Sequence, residues 1–449
     1  MGIAGAGMSA LALIARHLGV TITGCDNDPS GAADLAALGV QVWRGHEPGH
    51  VEGARAVVVT AAVPPNHPEL EKARALAIPV VRRADALGEL VADGGGTLVA
   101  VAGTHGKTTT TVMVTEALTA AGRTPTGLAG GRVAAWHGNA KVGSRDLFVV
   151  EADEYDRSFL SLTPTVAVVN NVETDHLECY GTLAAIEDAF VEFAGRAKRV
   201  IVGADDAGAG RVAARLGVPV WRVGLGANAD VKIRDLVQDP AGSRATLELP
   251  GGSTVELRLA VPGQHNVRNA ATALAVLHAL EADVKAGAKA LATFGGVGRR
   301  FERVGDAGGV TVVDDYAHHP TEVAATLAAA RQAFPGRRVV AVFQPHLYSR
   351  TALHGAALGE ALAAADVVVV APIYAAREQP AAGGGVTHDV VARSAIQAGA
   401  STVAVRERAE LTGQVARAVR TGDVVFTLGA GDVTRVGPEL LGILKAGRK

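Results

Sequence analysis

Residues 98–107 read Leu-Val-Ala-Val-Ala-Gly-Thr-His-Gly-Lys and are followed by four threonines, Thr108–Thr111. An apolar strand that runs into a glycine-punctuated turn, with Lys and Thr opening a helix, suits phosphate binding. Gly103 and Gly106 let backbone N–H groups approach phosphate oxygens with no Cβ in the way. Lys107 can reach the β- and γ-phosphates, and the Thr108 hydroxyl can hold Mg2+. The spacing is not the standard Walker pattern, because position 101 is Val rather than Gly. Downstream, Phe148–Asp156 reads FVVEADEYD and puts Glu151 at the end of an apolar strand. A carboxylate there, beside a phosphate loop, suits a hard cation. Val166–His176 gives another strand, ending in Asn170-Asn171 with Asp175-His176 beyond. Read alone, Glu151 is equally an ion-pair or capping residue and His176 a structural histidine; their joint placement after the loop favours the metal.

Four further segments carry polar residues of suitable type. Gly2–Ser9 reads GIAGAGMS and leads into a helix over Ala10–Leu18, so its glycines suit a diphosphate at the helix N-terminus. Asp26, after the next strand, suits a ribose hydroxyl. Gly263–Ala273 (GQHNVRNAATA) offers Asn266 and Asn269, whose amides could pair with a purine edge or cap a helix. Val313–Val323 (VDDYAHHPTEV) and Ala341–Thr351 (AVFQPHLYSRT) each follow a strand, which puts His318 and Arg350 at the C-terminal edge of a parallel sheet.

These segments need a framework of βα units. Short Val/Ile-rich runs alternate with Ala-rich helical stretches, a pattern of parallel sheets covered by helices. Strands are expected at Leu98–Val101, Val310–Val313, Arg338–Phe343, Val367–Val370 and Val424–Leu428. A β-rich insertion is expected at Trp221–Val261, turning at Pro250-Gly251-Gly252. Breaks at Asp93–Gly96 and Arg300–Val304 divide the chain into residues 1–92, 93–302 and 303–449, consistent with 449 residues at roughly 150 per domain. A formal charge of −2 without a basic patch argues against nucleic acid. No apolar run reaches the ~18 residues of a membrane span. Cys25 and Cys179 form no disulfide framework or zinc spacing. The class expected is a cytoplasmic, multidomain α/β protein with no membrane partner; nothing in the sequence addresses its oligomeric state.

Gly-Thr-His-Gly-Lys-Thr-Thr resembles the ATP loop of the Mur ligases, and His105 is the choice of the branch adding the first amino acid. Further motifs extend the resemblance over essentially the whole chain: Arg299-Arg300-Phe301-Glu302, His318-His319-Pro320 and Gly429-Ala430-Gly431-Asp432. The resemblance implies three domains: a Rossmann-like N-terminal domain for the UDP-substrate, a central ATPase domain with a parallel sheet, and a Rossmann-like C-terminal domain for the amino acid. It implies that Gly103, Thr104, His105, Gly106, Lys107, Thr108, Thr109, Asn266, Asn269 and Arg300 bind ATP. Thr108, Glu151 and His176 would hold Mg2+. Gly5, Gly7, Met8, Ser9, Asp26, Thr60 and Asn66 would bind the UDP-sugar, and Lys107, His176, His318 and Arg350 would act in catalysis. Two positions depart from the family pattern: Ala4 for Gly, and Leu347 for an Arg that would add a second cationic contact. Sister enzymes bridge their metals with a carbamylated lysine, but no lysine occurs here from Asn171 until Lys198, so none is expected.

The implied reaction joins L-alanine to the lactyl carboxylate of UDP-N-acetylmuramate through an acyl phosphate made from ATP. Two alternatives compete. One is the recycling ligase that attaches an intact tripeptide to the same sugar, although Thr321-Glu322-Val323 and Arg300-Phe301-Glu302 fit it less well. The other is a NAD-binding oxidoreductase built on Gly2–Ser9, which leaves the Gly103–Thr109 loop unexplained. Lys107→Ala is expected to leave the fold intact. The glycine turn at the start of the chain normally follows a buried strand of about five residues. The chain is therefore expected to begin inside this strand, with a shortened centre to the first sheet.

Overall fold

Runs such as Val99-Ala100-Val101-Ala102 and Val339–Phe343 are apolar on both faces, which only a sheet covered by helices on each side can bury. The computed structural model describes residues 1–60, 63–376, 378–379, 385–405 and 407–447. It divides into two compact units: one comprises Met1–Leu236, Arg244–Arg258 and Val267–Phe294, the other Val237–Ser243, Leu259–Asn266 and Gly295–Lys449.

At the centre of the first unit is a ten-stranded sheet. Strand Thr97–Ala102 lies between Leu147–Glu151 and Val166–Val169, parallel to both, in registers Val101↔Glu151 and Ala102↔Val169. Its Leu98–Ala102 stretch is buried. The expected β-rich insertion is present as strands Val220–Gly224, Val231–Asp239, Gly242–Glu248 and Thr254–Leu259. Helix Lys107–Ala120 covers the sheet with Val112, Met113, Val114, Ala117 and Leu118 buried.

The first 92 residues hold two small parallel pairs, Thr23–Asp26 with Gln41–Arg44 and Val57–Val59 with Val80–Arg82. No strand precedes the glycine turn among the described residues. Instead the Met1 nitrogen donates to Val58 O at 2.8 Å, and Gly2 and Ile3 N–H donate to Cys25 O at 2.9 and 3.2 Å. Three residues thus link the two strand pairs, and helix Ala6–His17 follows at once, four residues earlier than its apolar pattern suggests.

The second unit contains a six-stranded sheet in the order Glu302–Ala307, Val310–Asp315, Val424–Leu428, Val339–Phe343, Val367–Val370, Ser401–Ala404. The first pair is antiparallel and the rest are parallel. Val424–Leu428, last of these strands in the chain, sits between Val310–Asp315 and Val339–Phe343, so the chain changes winding direction there. Loops diverge at such a point and leave a crevice at the carboxyl ends of the strands.

Candidate functional site

Because the three central strands of the first unit are parallel and in register, Gly103, Ala152 and Asn170 leave the sheet side by side. Gly103 has φ +135°, and a Cβ there would sit 3.0 Å from Asn170. Gly106 has φ +77°, where a Cβ would lie 2.8 Å from Asn269 Oδ1. Backbone conformation favours glycine at both positions, and at Gly103 the space beside the Asn170 backbone is tight as well. Gly106 begins helix Lys107–Ala120 with no side-chain cap, so the first-turn N–H groups are available to an anion. The turn is held from the next strand: His105 N–H donates to Asn171 Oδ1 (2.7 Å), Thr104 N–H to Asn171 O (3.1 Å), and Asn170 Nδ2 to Thr110 Oγ1 (3.1 Å). Asn170 and Asn171, which read in the sequence only as a strand end, shape the loop.

Lys107 is tied down on all sides. Its Nζ donates to Gly103 O (2.8 Å), Thr104 O (3.2 Å) and both carboxylate oxygens of Glu154 (2.8 and 3.0 Å). Burial alone would lower the Lys107 pKa, but the carboxylates of Glu154, Asp153 and Glu151 outweigh it and hold the ammonium above the ordinary lysine range. Glu151 accepts from the Thr108 hydroxyl at 3.1 Å and from Gly130 N–H. Burial pushes the Glu151 carboxyl up, against the Gly130 N–H and the Lys107 charge. Glu154 is raised by the same cause, with Lys107 opposing. One ammonium thus faces three carboxylates, and that excess of negative charge around a Thr hydroxyl is a donor set suited to a hard divalent cation.

His176 sits at φ +52° at the start of the short helix Leu177–Tyr180. Its ring meets Tyr155 edge-on at 5.1 Å, and it is near enough to Glu154 to favour that carboxylate's ionised form. Asp156 and Arg157 also have positive φ, so three strained non-glycine residues cluster on this edge, as they do in many active sites.

The N-terminal glycine turn opens onto the same region. A cleft of about 270 Å3 is lined by Gly5, Gly7, Met8 and Thr60 on one side and by Gly130, Glu151 and Asp153 on the other. Arg83, which belongs to no sequence motif, lines it too: a Cβ at Gly7 would sit 3.0 Å from its Nη1. Its guanidinium and the N-terminus of helix Ala6–His17 both offer donors and positive charge of the kind an anion takes. Asp26 accepts from Ala4 N–H (3.0 Å) and Asp28 N–H (3.1 Å), and so braces the turn. The Ser9 hydroxyl donates to Ala6 O within its own helix (3.1 Å). Asn66 is exposed and does not line the cleft.

Asn269 is buried and faces Gly106. Asn266, one turn earlier on the same helix, donates to Pro262 O at 2.7 Å, the local role that its helix-start position also allowed.

In the second unit, the loops after the three adjacent strands carry the expected polar groups. His318 Nδ1 lies 2.9 Å from Tyr316 O, and the His318 backbone N–H donates to Glu322 at 3.1 Å. Arg300 pairs with Glu322 at 3.4 Å and lies over the Tyr316 ring. Arg350 is buried, with Nη1 3.1 Å from His346 Nδ1. Arg299 spans Asp314 (2.9 Å) and Gly429 O (2.6 Å), tying two loops together. Leu347 is 2% exposed at φ +66°, so the position where a second Arg was expected is an apolar corner packed into the core.

Family models match along the chain: "Mur ligase family, catalytic domain" over residues 1–94, "Mur ligase middle domain" over 101–277, and "Mur ligase, glutamate ligase domain" over 299–431. A UDP-N-acetylmuramate--L-alanine ligase of Kineococcus radiotolerans is 47% identical over 455 residues, covering 99% of this chain and 95% of that protein. Among solved structures, the UDP-N-acetylmuramate-alanine ligase of Thermotoga maritima superimposes with a TM-score of 0.82 at 28% identity, covering 99% of this chain and 98% of that one. A murein peptide ligase of Psychrobacter arcticus gives 0.73 at 26% identity, with the same coverage.

Proposed function

The chain belongs to the Mur ligase family, with its three-domain architecture, and from this membership and its site we propose the reaction that follows. It is an ATP-dependent amide ligase of peptidoglycan precursor synthesis. It joins L-alanine to the lactyl carboxylate of UDP-N-acetylmuramate, the reaction named for relatives 40–47% identical to it. The observation that carries the reading is the shared cleft, in which the glycine turn and Arg83 face the Glu151–Gly130 edge of the nucleotide loop. A nucleotide-sugar anchored by its diphosphate at that turn extends its acid toward bound ATP. We place the domain boundaries at 92/93 and 302/303 and the enzyme in the cytoplasm, where ATP is made. No helix among the described residues is long and apolar enough to cross a membrane.

A carboxylate is a poor electrophile because its leaving group would be an oxide. The lactyl carboxylate oxygen therefore attacks the γ-phosphorus and releases ADP; the alanine nitrogen attacks the resulting acyl carbon, loses a proton, and inorganic phosphate leaves. Lys107 and the N–H groups at the start of its helix neutralise and orient the phosphates, so catalysis is largely positioning and charge stabilisation. Thr108, Glu151 and His176 are the groups that would hold Mg2+, which, when bound, supplies further neutralisation of phosphate charge. Asn269 borders the nucleotide loop as an adenine-side contact. On the second unit, Arg350 and His318 supply positive and polar groups for the carboxylate of the incoming amino acid.

The test is ADP release measured with UDP-N-acetylmuramate and single amino acids. Release that requires both the sugar and L-alanine is expected. Faster release with the L-Ala-γ-D-Glu-diaminopimelate tripeptide would transfer the enzyme to the recycling class, and release independent of any amine would sink the assignment.

Arg83 gives a second expectation. Loss of one charge-assisted contact to phosphate costs about 1.5–3 kcal/mol, so Arg83→Ala should raise KM for UDP-N-acetylmuramate roughly tenfold to a hundredfold. KM for ATP should stay within about twofold. Steady-state kinetics varying each substrate in turn checks this, and equal effects on both would show that Arg83 supports the fold of the whole cleft.

A further inference from the structure

We propose that the N-terminal domain carries a site for a borderline-soft divalent cation of the Zn2+ class, with Cys25 Sγ, His46 Nδ1 and a Glu69 carboxylate oxygen as ligands. None of these residues has a part in the ligase chemistry described above. Cys25 comes from strand Thr23–Asp26, His46 from the loop after Gln41–Arg44, and Glu69 from helix Pro68–Ala75, so the fold and not a local motif assembles them. This explains why the sequence showed no zinc spacing.

The three donor atoms lie within 4.8 Å of one another. Cys25 Sγ is 3.2 and 3.4 Å from the two Glu69 oxygens, and His46 Nδ1 is 3.1 Å from Oε2. Zinc bonds of roughly 2.0 Å to N or O and 2.3 Å to S imply donor–donor edges of about 3.3–3.5 Å in a tetrahedron; the two Glu69 edges are close to this, and Cys25 Sγ and His46 Nδ1 are within 4.8 Å of each other. The side chain of Glu69 is fully buried and that of Cys25 nearly so, while His46 is 18% exposed and provides the way in. A thiol, an imidazole and one carboxylate favour zinc or cobalt over magnesium, which takes oxygen ligands.

The surroundings fit as well. His50 Nδ1 lies 3.0 Å from the other Glu69 oxygen, with its ring stacked on Trp43 at 4.5 Å, and Glu47 N–H donates to the same oxygen at 3.2 Å. These are the outer hydrogen bonds that orient a metal-bound carboxylate. His67 Nδ1 accepts from Glu69 N–H at 3.2 Å and caps the helix, which leaves the fourth coordination position to water or to a shift of His50. Without metal, burial and the Glu69 contact push the Cys25 thiol up to about 12, so the ion must displace the thiol proton, and binding tightens as pH rises.

Co2+ added to the full-length, metal-free protein in a non-thiol reductant is the probe. One equivalent per chain should give intense tetrahedral d–d bands and a near-ultraviolet thiolate-to-cobalt band, both bleached by Zn2+. Cys25→Ser should abolish the charge-transfer band, Cys179→Ser should retain it, and His46→Ala, at the rim, should weaken binding at least tenfold. Circular dichroism checks each fold. If Cys25→Ser does not fold, His46→Ala decides. Weak octahedral bands alone, with no tetrahedral or thiolate band in the wild type, a thiolate band that follows Cys179, or unchanged affinity in folded His46→Ala would each overturn the proposal.

Discussion

Replacing Lys107 by Ala is expected to lower kcat/KM for ligation by about 10³-fold or more, the scale on which preorganised cationic groups act in phosphoryl transfer. The fold is expected to persist, but at reduced stability. Lys107 is 14% exposed and Glu154 4%, and they pair at 2.8 Å. Removing the ammonium strands a buried carboxylate, which costs on the order of 3–5 kcal/mol. The pairing supplies its own control. Lys107→Ala with Glu154→Gln should recover most of the stability, read from chemical denaturation, and none of the activity. A double variant that regains near-normal turnover would show that Lys107 acts only by satisfying Glu154.

Glu151→Gln keeps the shape and both neighbours, since the new amide can still accept from Gly130 N–H and can donate to the Thr108 oxygen. What it loses is charge. The Mg2+ concentration for half-maximal rate should rise by at least about tenfold, with kcat/KM at fixed Mg2+ down roughly 10²-fold, comparable to the loss of one electrostatic contact. The pH dependence separates charge from shape. Burial raises the Glu151 pKa, so its protonated form persists to higher pH than for an ordinary carboxyl. The wild-type Mg2+ requirement should therefore climb as pH falls through that raised value, and the Gln variant's should not. An unchanged Mg2+ titration in the variant would make Glu151 a structural residue only.

Much of the framework is legible in the chain because fully covered parallel strands leave uninterrupted apolar runs. Val367–Val370 and Val424–Leu428 have the ends that their composition suggests, and Lys107 opens its helix where the Gly-Lys-Thr pattern places it. The site is less legible for identifiable reasons. Glu151, Asp153 and Glu154 stand together in one acidic run, and nothing local says that Glu154 takes the lysine while Glu151 takes the Thr108 hydroxyl; strand register and the turn at Tyr155 decide it. Arg83 is an ordinary first residue of a helix until folding brings it over Gly7. Asp26 is a candidate ribose ligand by its place after a strand, and only the folded turn shows that its carboxylate also accepts from Ala4 N–H. Cys25, His46 and Glu69 are separated by 20 or more residues each, so only tertiary structure makes them neighbours.

The grip of Glu154 on Lys107 also bears on how each catalytic cycle ends. A nucleotide arriving at the loop must outbid a resident carboxylate for the lysine, and a triphosphate with its full terminal charge does so best. Once the γ-phosphoryl group has been passed on, ADP offers the lysine less, while Glu154 remains tethered beside it at high effective concentration. The carboxylate is then expected to compete again for the ammonium, so Glu154→Gln should slow ADP release, measured by stopped flow.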